Sequence, residues 1–214
     1  VDRFALFLAR HWLTLVIVIL GLMAGLPLLA PILVYYGFTS PAQLIYLIYG
    51  LTCHQLAYRS FFFFGGQPTY TVDQLQAALS TRTPASDVFF WRDVRGNVEL
   101  GYKMAWCERD AAIYFAMLAA FVLFGVIRRY ARPLDVRIYL LFVIPLAIDG
   151  TWQLLTSPVT LLPFLPIHES SAFLRVLTGA LFGAGTVWLI FPHVDQAMRE
   201  TYDQAKRQSQ RLLA

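Results

Sequence analysis

A thiol, an imidazole, an amide and a guanidinium fall within seven positions in Cys53-His54-Gln55-Leu56-Ala57-Tyr58-Arg59. The stretch lies inside an otherwise apolar run from Ala42 to Phe64. Read as a helix, the run puts Gln55 and Arg59 one turn apart on one stripe, with Cys53 and His54 on neighbouring stripes. A second cluster, Trp106-Cys107-Glu108-Arg109-Asp110, adds another thiol and a carboxylate. Thiolate, imidazole and carboxylate together are a ligand set that suits zinc. Cys53, His54, Cys107 and Asp110 are therefore candidate metal ligands, although their spacing matches no short zinc motif. The same two cysteines equally suit a Cys53–Cys107 disulfide, since an even count on the outer side of a membrane suggests one. Free buried thiols are the third alternative. His11, His168 and His193 lie near membrane edges or in a loop, and a solvated role explains them.

A third cluster lies further along. Asp149 and Gln153 stand at i and i+4 on one helix face, and Arg175 precedes Thr178 and Gly179 by about a turn. Asp149 sits near the middle of an apolar stretch. A charge at that depth costs about 2.5–3.5 kcal/mol or more unless it is paired or protonated. Arg59 and Arg175 are the expected counter-charges. Gln55, Arg59, Arg109, Asp149, Gln153, Arg175 and Thr178 form the expected polar network. It is readable as structural ion pairing, as a proton or substrate path, or as support for a metal site.

These groups need elements to hold them, and the composition indicates which. Of 214 residues, 58% are hydrophobic and only 14% charged, with a mean hydropathy of +0.57. Soluble domains carry about 25% charged residues, so the chain is expected to be an all-α integral membrane protein in contact with the lipid bilayer. The net charge of +4 is explained by basic cytoplasmic loops rather than by nucleic acid. No Walker loop, dinucleotide-type glycine motif or zinc-finger spacing is present. Residues 1 to 11 do not have the form of a complete signal peptide.

The pattern predicts a short interfacial helix over Asp2 to Arg10 and five spans. These run roughly over Trp12–Tyr36, Pro41–Phe64, Asp110–Ile127, Arg137–Thr156 and Ala172–Phe191. Ser40 and Pro41 suit the start of the second. The hydrophilic stretch 65–108 reads as an ordered extramembrane flap. In it, a helix starts at Thr71 or Asp73, and a hairpin of Val88–Arg92 with Val98–Met104 turns around Arg95-Gly96-Asn97. Gly179 and Gly183 form a GxxxG that permits close helix contact. A Pro-rich loop spans 157–166, and 193–214 reads as an exposed helical tail. The whole chain, 1–214, forms one polytopic domain. Arg128, Arg129, Arg132 and Arg137 flank one short loop, and Arg199, Lys206, Arg207 and Arg211 lie in the tail. Both regions are expected to be cytoplasmic. Five spans then put Val1 outside, against which Arg3 and Arg10 argue. A re-entrant second segment is the alternative.

CHQLAYRSF, WCERDAAIY, IDGTWQ and LRVLTGALFG, in that order, resemble an uncharacterised prokaryotic family of predicted membrane proteins, a domain of unknown function. The resemblance covers roughly Tyr49 to Phe191. It rests on Cys53, His54, Gln55, Arg59, Ser60, Cys107, Arg109, Asp149, Gln153, Arg175, Thr178 and Gly179. Asp110 stands where the family pattern has a second Cys, which weakens a redox-dithiol reading more than a metal one. Many members also join the first two motifs by a much shorter loop. The resemblance implies a multi-pass protein of a prokaryotic cell membrane and no particular reaction. Three functions are consistent with it. One is a polar, metal-binding site near the outer face, serving metal handling or an unknown membrane enzyme. The second is a noncatalytic accessory subunit among other membrane subunits. The third is a small carrier using Asp149.

Overall fold

The protein is described here by a computed structural model that covers residues 3–155 and 169–213. The expected Pro-rich loop, with His168, lies outside the described residues.

Apolar runs become long helices. α1 is Arg3–Tyr35, α5 Glu108–Ile127, α6 Val136–Leu155 and α7 Ala172–Leu213. Three of them, α1, α5 and α7, are long and apolar enough to cross a membrane. α6 matches α5 at 20 residues and carries Arg137, Asp149 and Gln153 within its apolar sequence. The expected interfacial helix and first span are one helix, unbroken at Arg10 and with Pro27 and Pro31 inside it. The fifth span and the tail likewise merge into one helix of 42 residues that carries Pro192. Large apolar side chains such as Ile19, Leu22, Leu141 and Ile148 face outward, as lipid contact requires, while the polar groups turn into the bundle.

The second span is corrected. The helix there, α2, covers only Thr39–Tyr49. Its 11 residues reach about 16 Å, short of the roughly 30 Å hydrocarbon core. Its N-cap is Phe38, without a side-chain cap bond, and not Ser40. After Tyr49 the chain leaves the helix, makes a single 3₁₀ turn at Ala57–Arg59 and becomes a strand, β1, Ser60–Phe63. Gln55 takes a positive φ of 54°, which no helix accommodates, so Gln55 and Arg59 share no helical stripe. The phenylalanines of Ser60–Phe63 find partners on a sheet instead.

That sheet has the order β1-β3-β2, antiparallel throughout, with β2 at Gly96–Asn97 and β3 at Gly101–Cys107. Ser60 pairs with Cys107 and Phe63 with Tyr102. The expected hairpin is thus partly replaced. Val88–Asp93 is a helix, α4, capped by the Asp87 side chain, which accepts from the Phe90 amide at 3.0 Å. The small helix α3, Val72–Ala78, starts as read, with Thr71 and Gln74 forming a reciprocal capping box. Leu56, Tyr58, Phe62, Leu75, Trp91 and Leu100 close a small core of their own beneath these elements.

α5 and α7 lie in close contact through the glycines of α7. A Cβ added at Gly183 would stand 2.3 Å from the Ile113 carbonyl oxygen, and one at Gly179 2.7 Å from that of Arg109. Gly183→Ala is therefore expected to lower stability by about 1–3 kcal/mol through overpacking. A melting temperature in detergent equal to the wild type would show that α5 and α7 separate without strain.

At the opposite end of the bundle from the sheet, Arg10 of α1, Arg128 after α5 and Arg199 of α7 line one hollow. The start of α1 and the late part of α7 therefore lie at the same end. The five-span reading had set the start of the chain and the tail on opposite sides, with a re-entrant second segment as its alternative. α2 ends after 11 residues, and the chain then returns to the sheet through β1.

Candidate functional site

β1 and β3 run antiparallel, and their register sets Ser60 opposite Cys107. This brings the end of the Cys53–Arg59 stretch to the start of α5. A cavity of about 220 Å³ opens there, lined by Thr52, Cys53, His54, Gln55, Leu56, Arg59, Cys107, Arg109, Asp110, Gln153 and Arg175. Residues from all four sequence motifs meet on its wall.

Cys107 is the N-cap of α5, and its sulfur accepts from the Asp110 amide at 3.4 Å. The Cys107 amide in turn donates to the Cys53 sulfur at 3.3 Å. The two sulfurs and a carboxylate oxygen of Asp110 all lie within 4.8 Å of one another. Both cysteines are free thiols. The hydrogen bond with the Cys53 sulfur, burial and the neighbouring Cys53 and Asp110 charges push the Cys107 thiol well up. The Cys107 thiol is thus held in its neutral form, and only a cation placed among these groups would favour its thiolate. A tetrahedral zinc with its usual bond lengths sets its donors about 3.5–3.8 Å apart, which falls inside that limit. His54 lines the same cavity but is exposed. Its ring does not belong to the close trio, so the four-ligand set read from the sequence is reduced to three at this spacing.

The loop that presents Cys53 is held from beneath by a residue the sequence reading missed. Lys103, on β3, is fully buried. Its ammonium donates to the carbonyls of Gln55 at 2.5 Å, Arg92 at 2.6 Å and Trp91 at 3.3 Å. The Gln55 side chain donates to the Tyr46 and Ala105 carbonyls, both at 2.9 Å. Gln55 therefore fixes the loop, and its side-chain oxygen accepts from Arg95 at 3.4 Å. Lys103 in the alternating GYKMAWC stretch was the one available signal, a cation on a strand that faces inward.

Behind the cavity stand three arginines and three carboxylates. Asp149 pairs with Arg109, not with Arg59 or Arg175 as the sequence led us to expect. Arg109 enters from the first turn of α5, level with Asp149 on α6. Arg59 is held bidentately by Glu169. Arg175 donates to Glu108 at 2.7 Å and, with the Ser170 and Tyr58 carbonyls, is fully engaged. Gln153 links the two halves, donating to Glu169 at 3.0 Å and accepting from Arg109 at 3.3 Å. Glu108 and Glu169 complete the charge balance and were not assigned from sequence. Thr178 stands apart from the network, since its hydroxyl donates to the Leu174 carbonyl of its own helix at 2.8 Å.

Residues 95–189 match the model of a family described as "Predicted membrane protein (DUF2085)", which bears out the resemblance read from the motifs. The matched segment takes in Cys107, Arg109, Asp149, Gln153 and Arg175, while Cys53, His54, Gln55 and Arg59 precede it. An uncharacterized protein of Methanocaldococcus jannaschii, MJ1492, is 29% identical over 171 residues, covering 77% of this chain and 80% of that protein. No solved structure matches the chain.

Proposed function

We propose that this is a multi-pass protein of a prokaryotic cell membrane that binds a divalent metal of the zinc class on Cys53, Cys107 and Asp110. The observation that carries the reading is the convergence of two sulfurs and a carboxylate oxygen within 4.8 Å on the wall of a polar cavity. Three protein donors leave a tetrahedral ion one open position. His54 at the cavity mouth is the fourth candidate donor, and otherwise the position is free for water or an outside ligand. Metal handling and a metal-dependent membrane enzyme both fit that arrangement. Arg109 and Arg175, already neutralised by carboxylates, position the first turn of α5 and hence Cys107 and Asp110.

The basic end of the bundle carries Arg10, Arg128 and Arg199, and the positive-inside rule makes that end cytoplasmic. The tail is then cytoplasmic, with the start of α1 beside it. The sheet, the flap 65–108 and the cavity belong to the outer face. α1, α5, α6 and α7 make four crossings, and α2 dips into the outer leaflet without crossing.

The chain purified without chelators is expected to carry about one zinc-class ion per molecule by elemental analysis, with two free thiols after denaturation. Cys53→Ser and Cys107→Ser should each abolish retention, and Asp110→Asn should weaken it about 10- to 100-fold. Metal-free protein with a linked Cys53–Cys107 peptide pair under non-reducing mass spectrometry would replace this reading with the disulfide. The closeness of the two sulfurs favours that second reading, under which the chain serves as an accessory membrane subunit. The carrier reading has less support, because Asp149 is held by Arg109.

A further inference from the structure

We propose that the hollow at the arginine end is a binding site for the phosphate headgroup of an anionic phospholipid. It measures about 480 Å³ and is lined by Ala9, Arg10, Arg128, Arg199, Tyr202 and Asp203. It is built from three separate parts of the chain, namely the first turns of α1, the residue after α5 and the long extension of α7. It lies at the far end of the bundle from the cysteine cavity and does not depend on the metal reading. Only the leaflet that supplies the lipid rests on the proposed orientation.

The charges do not cancel. Asp195 is buried and holds Arg199 at 2.7 Å, while Arg128 stands 3.8 Å from its other oxygen, beyond hydrogen-bond reach. Asp203 adds one more negative group to the wall. Three guanidiniums against two carboxylates leave one positive charge in excess. The Arg10 side chain makes no hydrogen bond or ion pair among the described residues and is exposed. Arg199, held by Asp195, is pre-oriented, which reduces the entropy lost when it engages a ligand, and Arg128 keeps its guanidinium free to turn toward the hollow. Guanidinium forks match phosphate oxygens in shape and charge, and the volume is that of a small-ligand site.

The setting selects a lipid among phosphate-bearing anions. Phe4 and Phe7, 68% and 52% exposed, lie on α1 within two turns of Arg10. Apolar side chains that flank a basic hollow at the end of a bundle place it at the boundary between headgroups and acyl chains. Basic pockets between membrane helices on the cytoplasmic side take anionic headgroups for this reason.

The test uses native mass spectrometry of the full chain released from detergent, with phosphatidylglycerol or phosphatidylcholine added. Wild type should retain phosphatidylglycerol at least about tenfold more tightly. Each arginine near an anionic surface contributes about a fivefold factor. Arg10→Gln, which breaks no side-chain hydrogen bond or ion pair among the described residues, should lose about that factor with an unchanged melting temperature. The triple variant Arg10→Gln, Arg128→Gln, Arg199→Gln should fall to the phosphatidylcholine level, and Arg95→Gln at the other end of the bundle should not. Equal retention of the two lipids by wild type would overturn the proposal, as would an Arg10→Gln protein that keeps its full preference. Inorganic phosphate that displaces the lipid at similar concentration would identify a soluble-anion site and also overturn it.

Discussion

Asp149→Ala is expected to lower stability by about 3–5 kcal/mol, the usual loss when one partner of a buried ion pair is removed. The Asp149 side chain is 6% exposed and pairs with Arg109, which is 17% exposed. The Nε of Arg109 is already buried without a partner among the described residues. Loss of the carboxylate leaves a guanidinium in the bundle with only weak contacts, to Gln153 at 3.3 Å and Ser170 at 3.5 Å. Asp149→Asn should lose less, because an amide oxygen still accepts from Arg109. The double change Arg109→Met with Asp149→Leu should recover most of the loss, since it removes both charges together. Denaturant titration in mixed micelles measures all three. An Asp149→Ala protein as stable as wild type, or a double variant no better than the single, would show that Arg109 is not the counter-charge. In the same experiment Arg175→Met should be comparably damaging, because it strands Glu108, whose side chain is 1% exposed.

The second large effect belongs to Lys103. Its three N–H donors meet three backbone carbonyls. Lys103→Met fills the space but leaves buried acceptors unpaired, and each stranded group costs about 1–3 kcal/mol. A total loss of about 3 kcal/mol or more is expected. The damage should spread to the cavity, because the Gln55 carbonyl fixes the loop that carries Cys53. Faster alkylation of Cys53 in Lys103→Met than in wild type would report it. Burial, with the nearby Arg95 charge, also pushes the Lys103 pKa well below its ordinary 10.5. The unfolded chain then binds more protons than the native one between the depressed value and 10.5. Stability should therefore rise with pH across that window, and the rise should vanish in Lys103→Met. If the variant keeps both the stability and the alkaline slope of wild type, Lys103 does not clamp the loop.

The amino-acid sequence by itself determined that the chain is helical and apolar enough for a membrane. It set α5 and α6 to within a few residues, and it named most of the cavity wall. These are local properties. A run of apolar residues needs a helix to satisfy its backbone in lipid, and a polar residue inside such a run is conspicuous wherever it points. The tertiary structure decided what local pattern leaves open. Ala42 to Phe64 reads as one apolar helix, because a short apolar run looks the same in a helix and in a buried strand. Pairing of Ser60–Phe63 with β3, some forty residues away, resolves it as α2, a loop and β1. Asp149 needed a cation, yet three arginines were available, and only the packing of α5 and α6 against α7 brought Arg109 to it. Glu108 and Glu169 look like ordinary residues at helix boundaries until Arg175 and Arg59 arrive from distant parts of the chain. The trio of Cys53, Cys107 and Asp110 has the same origin, since the two cysteines stand 54 positions apart. Burial and strand register, which are non-local, turn four separate motifs into one site.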